Sequence, residues 1–191
     1  MAIFSVILSG FIISSCESSL NEISQTREGN KAEFLQRFHN YELSEAKIDQ
    51  SVILTAMVDS IKPEVNVRTA SVRKIYLQRA VAALNQAYYY RSLSAHIDPN
   101  KGEYFERKKE IDQRLQRGDL SAMREIMNVI NELDSKFSAD TKRIAREQSE
   151  LVSKEASISR RISLLTRVSI AFQILGLIMV LAKDLAPKAT R

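Results

Sequence analysis

Near the end of this chain, Met123, Ile130, Phe137, Ile144, Leu151, Ile158 and Leu165 recur at an unbroken seven-residue spacing. A heptad column of that length demands one continuous helix with one side held against a neighbour. No proline or glycine interrupts residues 120–173. The partner column is poorer: Leu120, Met127 and Ile162 are apolar, whereas Asp134, Thr141, Gln148 and Glu155 are not. Ile126, Leu133, Ala145 and Val152 beside it partly compensate. The expected seam is therefore narrow, packed within a bundle or between subunits, and the seven-residue column is its candidate oligomerisation surface.

The same helix runs into ISLLTRVSIAFQILGLIMVLAKDL, residues 162–185. Residues 168–182 carry no charge but cover only roughly 22 Å at ~1.5 Å per residue. Including residues 162–167 reaches the ~30 Å of a bilayer's hydrocarbon, at the expense of enclosing Arg167, whose long side chain reaches back toward the headgroups. Apolar residues surround this segment rather than forming a stripe, so it needs burial on all sides or lipid. A transmembrane helix over 162–183 is expected, with Arg160, Arg161, Arg167 and Lys183 marking its boundaries. The helix, soluble part and span together, makes a rod of roughly 90 Å at ~1.5 Å per residue.

Residues 1–16, MAIFSVILSGFIISSC, form a second apolar run. Its length suits a signal-peptide core or a short anchor. No positive residue precedes it. Ile13-Ser14-Ser15-Cys16 has the form of a bacterial lipobox, which makes Cys16 the candidate lipidation site. An uncleaved anchor is the competing reading. Cys16 is also the only cysteine, which excludes a disulfide framework within the chain and a thiolate metal cluster.

Between the apolar ends, residues 17–30 are polar without a sustained period and read as a linker. Residues 31–161 read as a helical bundle, and 184–191 as a basic tail. Five Gly, three Pro and no Trp in 191 residues leave few turn formers and point to an all-α protein. A first helix is expected over 31–61, broken at Lys62-Pro63. A second follows over 65–97, and Asp98-Pro99-Asn100-Lys101-Gly102 makes the clearest turn. A charged helix over 103–116 ends near Gly118, and Asp119 caps the long one. The first helix has five acids and three bases over 31–60; the second has five bases and no acid over 65–97. Antiparallel pairing would set these signs against each other.

Net charge is +5, but Glu17–Arg161 carries 24 basic and 22 acidic residues, leaving +2. The other +3 lies around and after the C-terminal apolar run, so a nucleic-acid-binding stripe is not expected. Tyr88-Tyr89-Tyr90-Arg91 with upstream bases invites a stacking surface for nucleic acid. Consecutive helical residues point about 100° apart, however, and packing explains them better. His39 and His96 lack the Glu-x-x-His spacing of a bundle metal site. Glu103, Glu106 and Glu110 share a face with bases, and Glu103–Arg107 and Glu110–Arg114 fit i,i+4 pairing. No nucleophile–base motif, phosphate loop or hydrolase elbow is present. Neither a cofactor nor a catalytic or metal site is expected.

The expectation is an all-α, membrane-anchored helical bundle whose long C-terminal coiled-coil helix continues into a transmembrane helix. Its plan resembles bacterial chemoreceptor-type sensory modules as architecture alone, with no room for a signalling output domain. The expected role is non-enzymatic: a scaffold or accessory subunit whose partners are membrane lipid and a second copy or another helical protein. The alternatives are a small pore or gated membrane assembly, in which Arg167 and Gln173 face a lumen, or a sensor-like helical module. The expected location is integral, in a bacterial inner membrane. Which side the bundle faces is open, because the export-signal and charge-count arguments disagree.

Overall fold

A computed structural model describes residues 2–61, 67–117 and 119–185. They form four helices in order, α1 (Ala2–Ser60), α2 (Val67–Ser94), α3 (Glu103–Gln116) and α4 (Ala122–Leu185). No strand occurs among the described residues, so the all-α expectation holds. The Lys62-Pro63 break, Gly118 and residues 186–191 lie outside the described residues.

The chain divides into two compact units, residues 2–30 with 145–185, and residues 31–144. The bundle was expected to extend to residue 161; its compact unit ends at 144.

In the unit of residues 31–144, α1 and α2 are held together by a repeated contact. Arg37 Nε donates to the Ser94 carbonyl (2.7 Å), Ser44 Oγ to that of Ala87 (2.9 Å), and Ser51 Oγ to that of Ala80 (3.0 Å). The donors rise by sevens along α1 while the acceptors fall by sevens along α2, so the helices run antiparallel. Ala80, Ala87 and Ser94 are fully buried. Only small side chains let one helix's hydroxyls reach another's backbone. Of the expected charge pairing, Arg91–Glu45 is formed, beside a 3.8 Å His96–Glu33 approach. Short polar donors facing alanines set the register.

The apolar core gathers Ile126, Val129, Ile130, Leu133 and Phe137 of α4 around Leu84, Ala87 and Tyr88 of α2 and Ile111 of α3. Ile126 and Leu133 are fully buried, as compensation beside the weak column requires. The α2–α3 turn is built as its sequence implies. Asp98 Oδ1 accepts from Asn100 N–H (2.9 Å), and Gly102 takes φ 83°, a left-handed conformation open to glycine.

In the unit of residues 2–30 and 145–185, two helical segments pack along their length. Ile13, Cys16, Leu20, Ile23, Arg27 and Asn30 are half-buried, at alternating three- and four-residue steps. So are Gln148, Leu151, Glu155, Ile158, Ile162, Leu165 and Ser169 of α4. Arg27 Nη1 meets Glu155 Oε2 at 2.6 Å, and the Arg27 carbonyl accepts from Gln148 Nε2 at 3.3 Å. A residue near the end of one segment thus meets residues near the start of the other, and the pair is antiparallel. Residues 17–30, expected as a linker, are instead helical within α1. Their polar composition hid a heptad spacing in which Arg27 finds its partners on α4.

Candidate functional site

The most concentrated chemistry lies between α1, α2 and α4 in residues 31–144, where two arginines are almost fully buried. Arg91 is 1% exposed and Arg37 5%. Burial of a guanidinium is costly unless its donors are paired. Those of Arg91 are: Nη1 to Asp134 Oδ1 (2.7 Å), Nε to Ser44 Oγ (3.2 Å) and Nη2 to Glu45 Oε1. Arg37 Nη2 reaches Asp140 Oδ2 (2.9 Å) while its Nε holds the Ser94 carbonyl.

Aromatic rings join the two arginines. Arg91 Cζ lies 3.9 Å over the Tyr41 ring; Tyr41 stacks on Phe137 at 4.9 Å; Arg37 Cζ lies 5.9 Å from the Phe137 centroid. The order is cation, ring, ring, cation across three helices. Glu45, Asp134 and Asp140 balance it from half-exposed positions. Burial raises the Asp140 pKa, but the Arg37 hydrogen bond and charge outweigh that and leave it below the usual carboxylate value. A guanidinium locked by three partners is a fixed tie between helices rather than an acid, base or nucleophile.

The sequence expectations fall around this network in different ways. Tyr88 and Arg91 are buried, Tyr89 is exposed, and the tyrosines form no common platform. Burial also raises the Tyr88 phenol's pKa. The i,i+4 pairs expected on α3 are replaced by links to neighbouring elements. Arg107 grips both oxygens of Glu132 on α4 (2.6 and 2.9 Å), and Arg114 holds Asp119 (2.7 Å) and Glu125 (2.6 Å). An acid on another element wins because its carboxylate can meet the guanidinium fork face-on. Asp119, expected to cap the long helix, shapes the turn before it: its Oδ1 accepts from Ser121 N–H (3.0 Å), and α4 begins three residues later at Ala122.

Of the seven-residue column, Ile130 and Phe137 are buried in the core, while Met123, Ile144, Leu151, Ile158 and Leu165 are half-buried along α4. The single chain already employs this face. Sequence reasoning missed Arg37, Tyr41 and Ser44, and singled out Arg91 only within the tyrosine stretch that packing explains. Their signal was the seven-residue spacing of Arg37, Ser44 and Ser51, concealed by polarity.

Arg160, Arg161 and Arg167 are exposed, and the Lys183 side chain lies outside the described residues. Cys16 is half-buried on the helix-contact side of α1. Leu164, Val168, Ile170, Phe172, Ile174, Leu175, Leu177, Ile178, Met179, Val180 and Leu181 are all at least 44% exposed. This stretch of α4 is long and apolar enough to cross a membrane, and none of it is buried in the protein.

A cleft of about 650 Å³ lies between α2 and the α3–α4 turn, lined by Leu77, Val81, Leu115 and Leu120 with Asn85 and Asp112. Among the described residues, no cluster of His, Cys, Asp and Glu is suited to a metal ion. Compared with known proteins, the chain matches no family model, no curated protein and no solved structure.

Proposed function

We propose that this protein is a non-enzymatic membrane scaffold or accessory subunit. The carrying observation is the exposed apolar surface of α4 between Leu164 and Leu181. An aqueous protein that left so many contiguous large apolar side chains uncovered would aggregate, whereas lipid accepts them without cost.

Residues 31–144 would then serve as a rigid partner-binding module. Its interior is tied by Arg37 and Arg91, and α1 carries Leu35, Val52, Ile53 and Met57 at 45–61% exposure. Apolar side chains on the outside of a bundle tied from within suit association with a helical partner or a second copy. The column from Met123 to Leu165 supports that association through α4, in coiled-coil fashion, by fixing the helix faces left outward.

Two measurements test the proposal. The protein should resist alkaline extraction from membranes; release into the supernatant removes the anchor. In detergent, Val52→Glu with Ile53→Glu should dissociate the assembly with helicity retained, while Ile144→Asp with Leu151→Asp should lower helicity and assembly together. An unchanged assembly state in both variants rejects the association role.

A second reading is favoured by Arg167 and Gln173, both exposed within the apolar stretch. Polar groups at membrane depth gain from facing other chains or a lumen. Under this reading, purified vesicles conduct ions and Gln173→Leu alters the conductance. Silent vesicles reject it.

A further inference from the structure

The two apolar ends of the sequence meet in one unit of the fold. Arg27 lies level with residues 148–155 of α4, through its 2.6 Å ion pair with Glu155 and its carbonyl bond from Gln148. The two segments are antiparallel, and each rises ~1.5 Å per residue. The same displacement toward the start of α1 and toward the end of α4 brings Cys16 level with Ile162. Those are the positions where each helix changes from polar to apolar in sequence. One plane therefore divides wet from dry on both helices.

Side-chain exposure agrees with that register. Ile13 and Cys16 are half-buried on the contact side, as are Ile162 and Leu165 of α4, while Phe11 is 75% exposed and Ile12 38%. Phe11 and Ile12 on the outward surface of α1 thus lie level with the start of the exposed apolar surface of α4, near Val168. On the other side of the plane, Arg27, Gln148 and Glu155 supply the contact side with polar partners. A helix that traverses lipid beside α4 has to satisfy both conditions.

We propose that residues 2–16 are the second arm of an antiparallel hairpin with residues 162–176 of α4, embedded with them in the bilayer. The proposal rests on the membrane reading of α4. It makes Cys16 a packing residue at the membrane boundary, and the N-terminal segment a retained part of the folded protein. Lipidation at Cys16 through its lipobox-like stretch is incompatible with it, since that processing cuts away the segment before the cysteine.

The test uses the full chain in lipid vesicles and in native membranes. With Cys16→Ser, a polarity-sensitive fluorophore is attached at Phe11→Cys or at Leu177→Cys. Both should emit blue-shifted light, be quenched by doxyl-labelled lipid and be insensitive to aqueous iodide. Separately, Ile162→Cys, paired with native Cys16, should cross-link within the chain through a short bis-maleimide, with Leu177→Cys as the non-linking control. The membrane-extracted chain should keep the mass of residues 2–16. If position 177 is lipid-quenched but position 11 is iodide-quenched, the hairpin is wrong and the α4 anchor stands. If both are iodide-quenched, the membrane reading fails with it. A mass lacking the residues before Cys16, or no Cys16–I162C link, also overturns the hairpin.

Discussion

The Arg91 guanidinium of α2 lies 3.9 Å from the centre of the Tyr41 ring of α1, and three further contacts, to Ser44, Glu45 and Asp134, fix it there. Arg91 is therefore the side chain through which α1, α2 and α4 agree on one arrangement. Charge-assisted hydrogen bonds of this kind are worth about 1.5–3 kcal/mol each when lost, and a desolvated cation–π contact about 2 kcal/mol. Because Glu45 and Asp134 are half-exposed, water recovers part of what they lose. Arg91→Ala should destabilise residues 31–144 by about 3 kcal/mol overall. Arg91→Lys should recover less than half of that, since an ammonium cannot reproduce the planar fork. Denaturant unfolding in detergent measures both, and equal stability of the Lys variant and wild type would sink the stacked-fork account.

The contacts of Ser44 and Ser51 with the α2 backbone predict an inverted substitution pattern. Ser51→Ala removes one buried hydrogen bond between the helices and should cost about 1 kcal/mol, because the Ala80 carbonyl keeps its own helix bond. Ala87→Leu instead forces the helices apart at a fully buried position and should cost about 1–3 kcal/mol or more. The conservative-looking apolar change is the harmful one. Thermal unfolding of the two variants should rank them in that order.

At the end of α2, His96 occupies φ 58°, and its N–H bonds the Leu93 carbonyl while Ile97 N–H bonds that of Ser92. This is a Schellman closure with histidine where glycine is usual. A non-glycine residue there costs roughly 1 kcal/mol. His96→Gly should raise stability by about 0.5–1 kcal/mol even after glycine's greater unfolded-state freedom is counted. Its 3.8 Å approach to Glu33 is highly exposed and subtracts little. A lower melting temperature for His96→Gly would show that the imidazole matters more than the backbone.

The helical class, the α3 boundaries and the continuity of α4 were legible because they depend on turn residues and on an apolar period. The helix through residues 17–30 was not. Arg27, Arg37, Ser44 and Ser51 stand at contact positions of α1, and a hydropathy pattern registers them as gaps. Each is acceptable only because of a partner far away in sequence: Glu155 and Gln148 for Arg27, Asp140 for Arg37, and the α2 backbone for the serines. Likewise, the acids in the weak column of α4 looked like defects. Asp134 and Glu155 prove to be counter-ions of Arg91 and Arg27. Seven-residue spacing was visible on both helices, but on α1 it had to be sought among polar residues.

Asp140 gives the network a pH signature. Its carboxyl is held below the ordinary value, because the Arg37 hydrogen bond and charge outweigh the opposing effect of burial. A group whose pKa is lower folded than unfolded contributes stability that is complete above the unfolded value of about 3.9 and disappears as pH falls through the folded value. Glu132 behaves in the same sense, its carboxyl lowered by the hydrogen bond from Arg107. Helix unfolding followed between pH 6 and pH 2 should therefore show stability falling below about pH 4. Asp140→Asn should be less stable than wild type at pH 6, yet lose less on acidification, so that the two curves converge. Curves that stay parallel to the lowest pH would mean that the Arg37–Asp140 contact contributes nothing to the folded state.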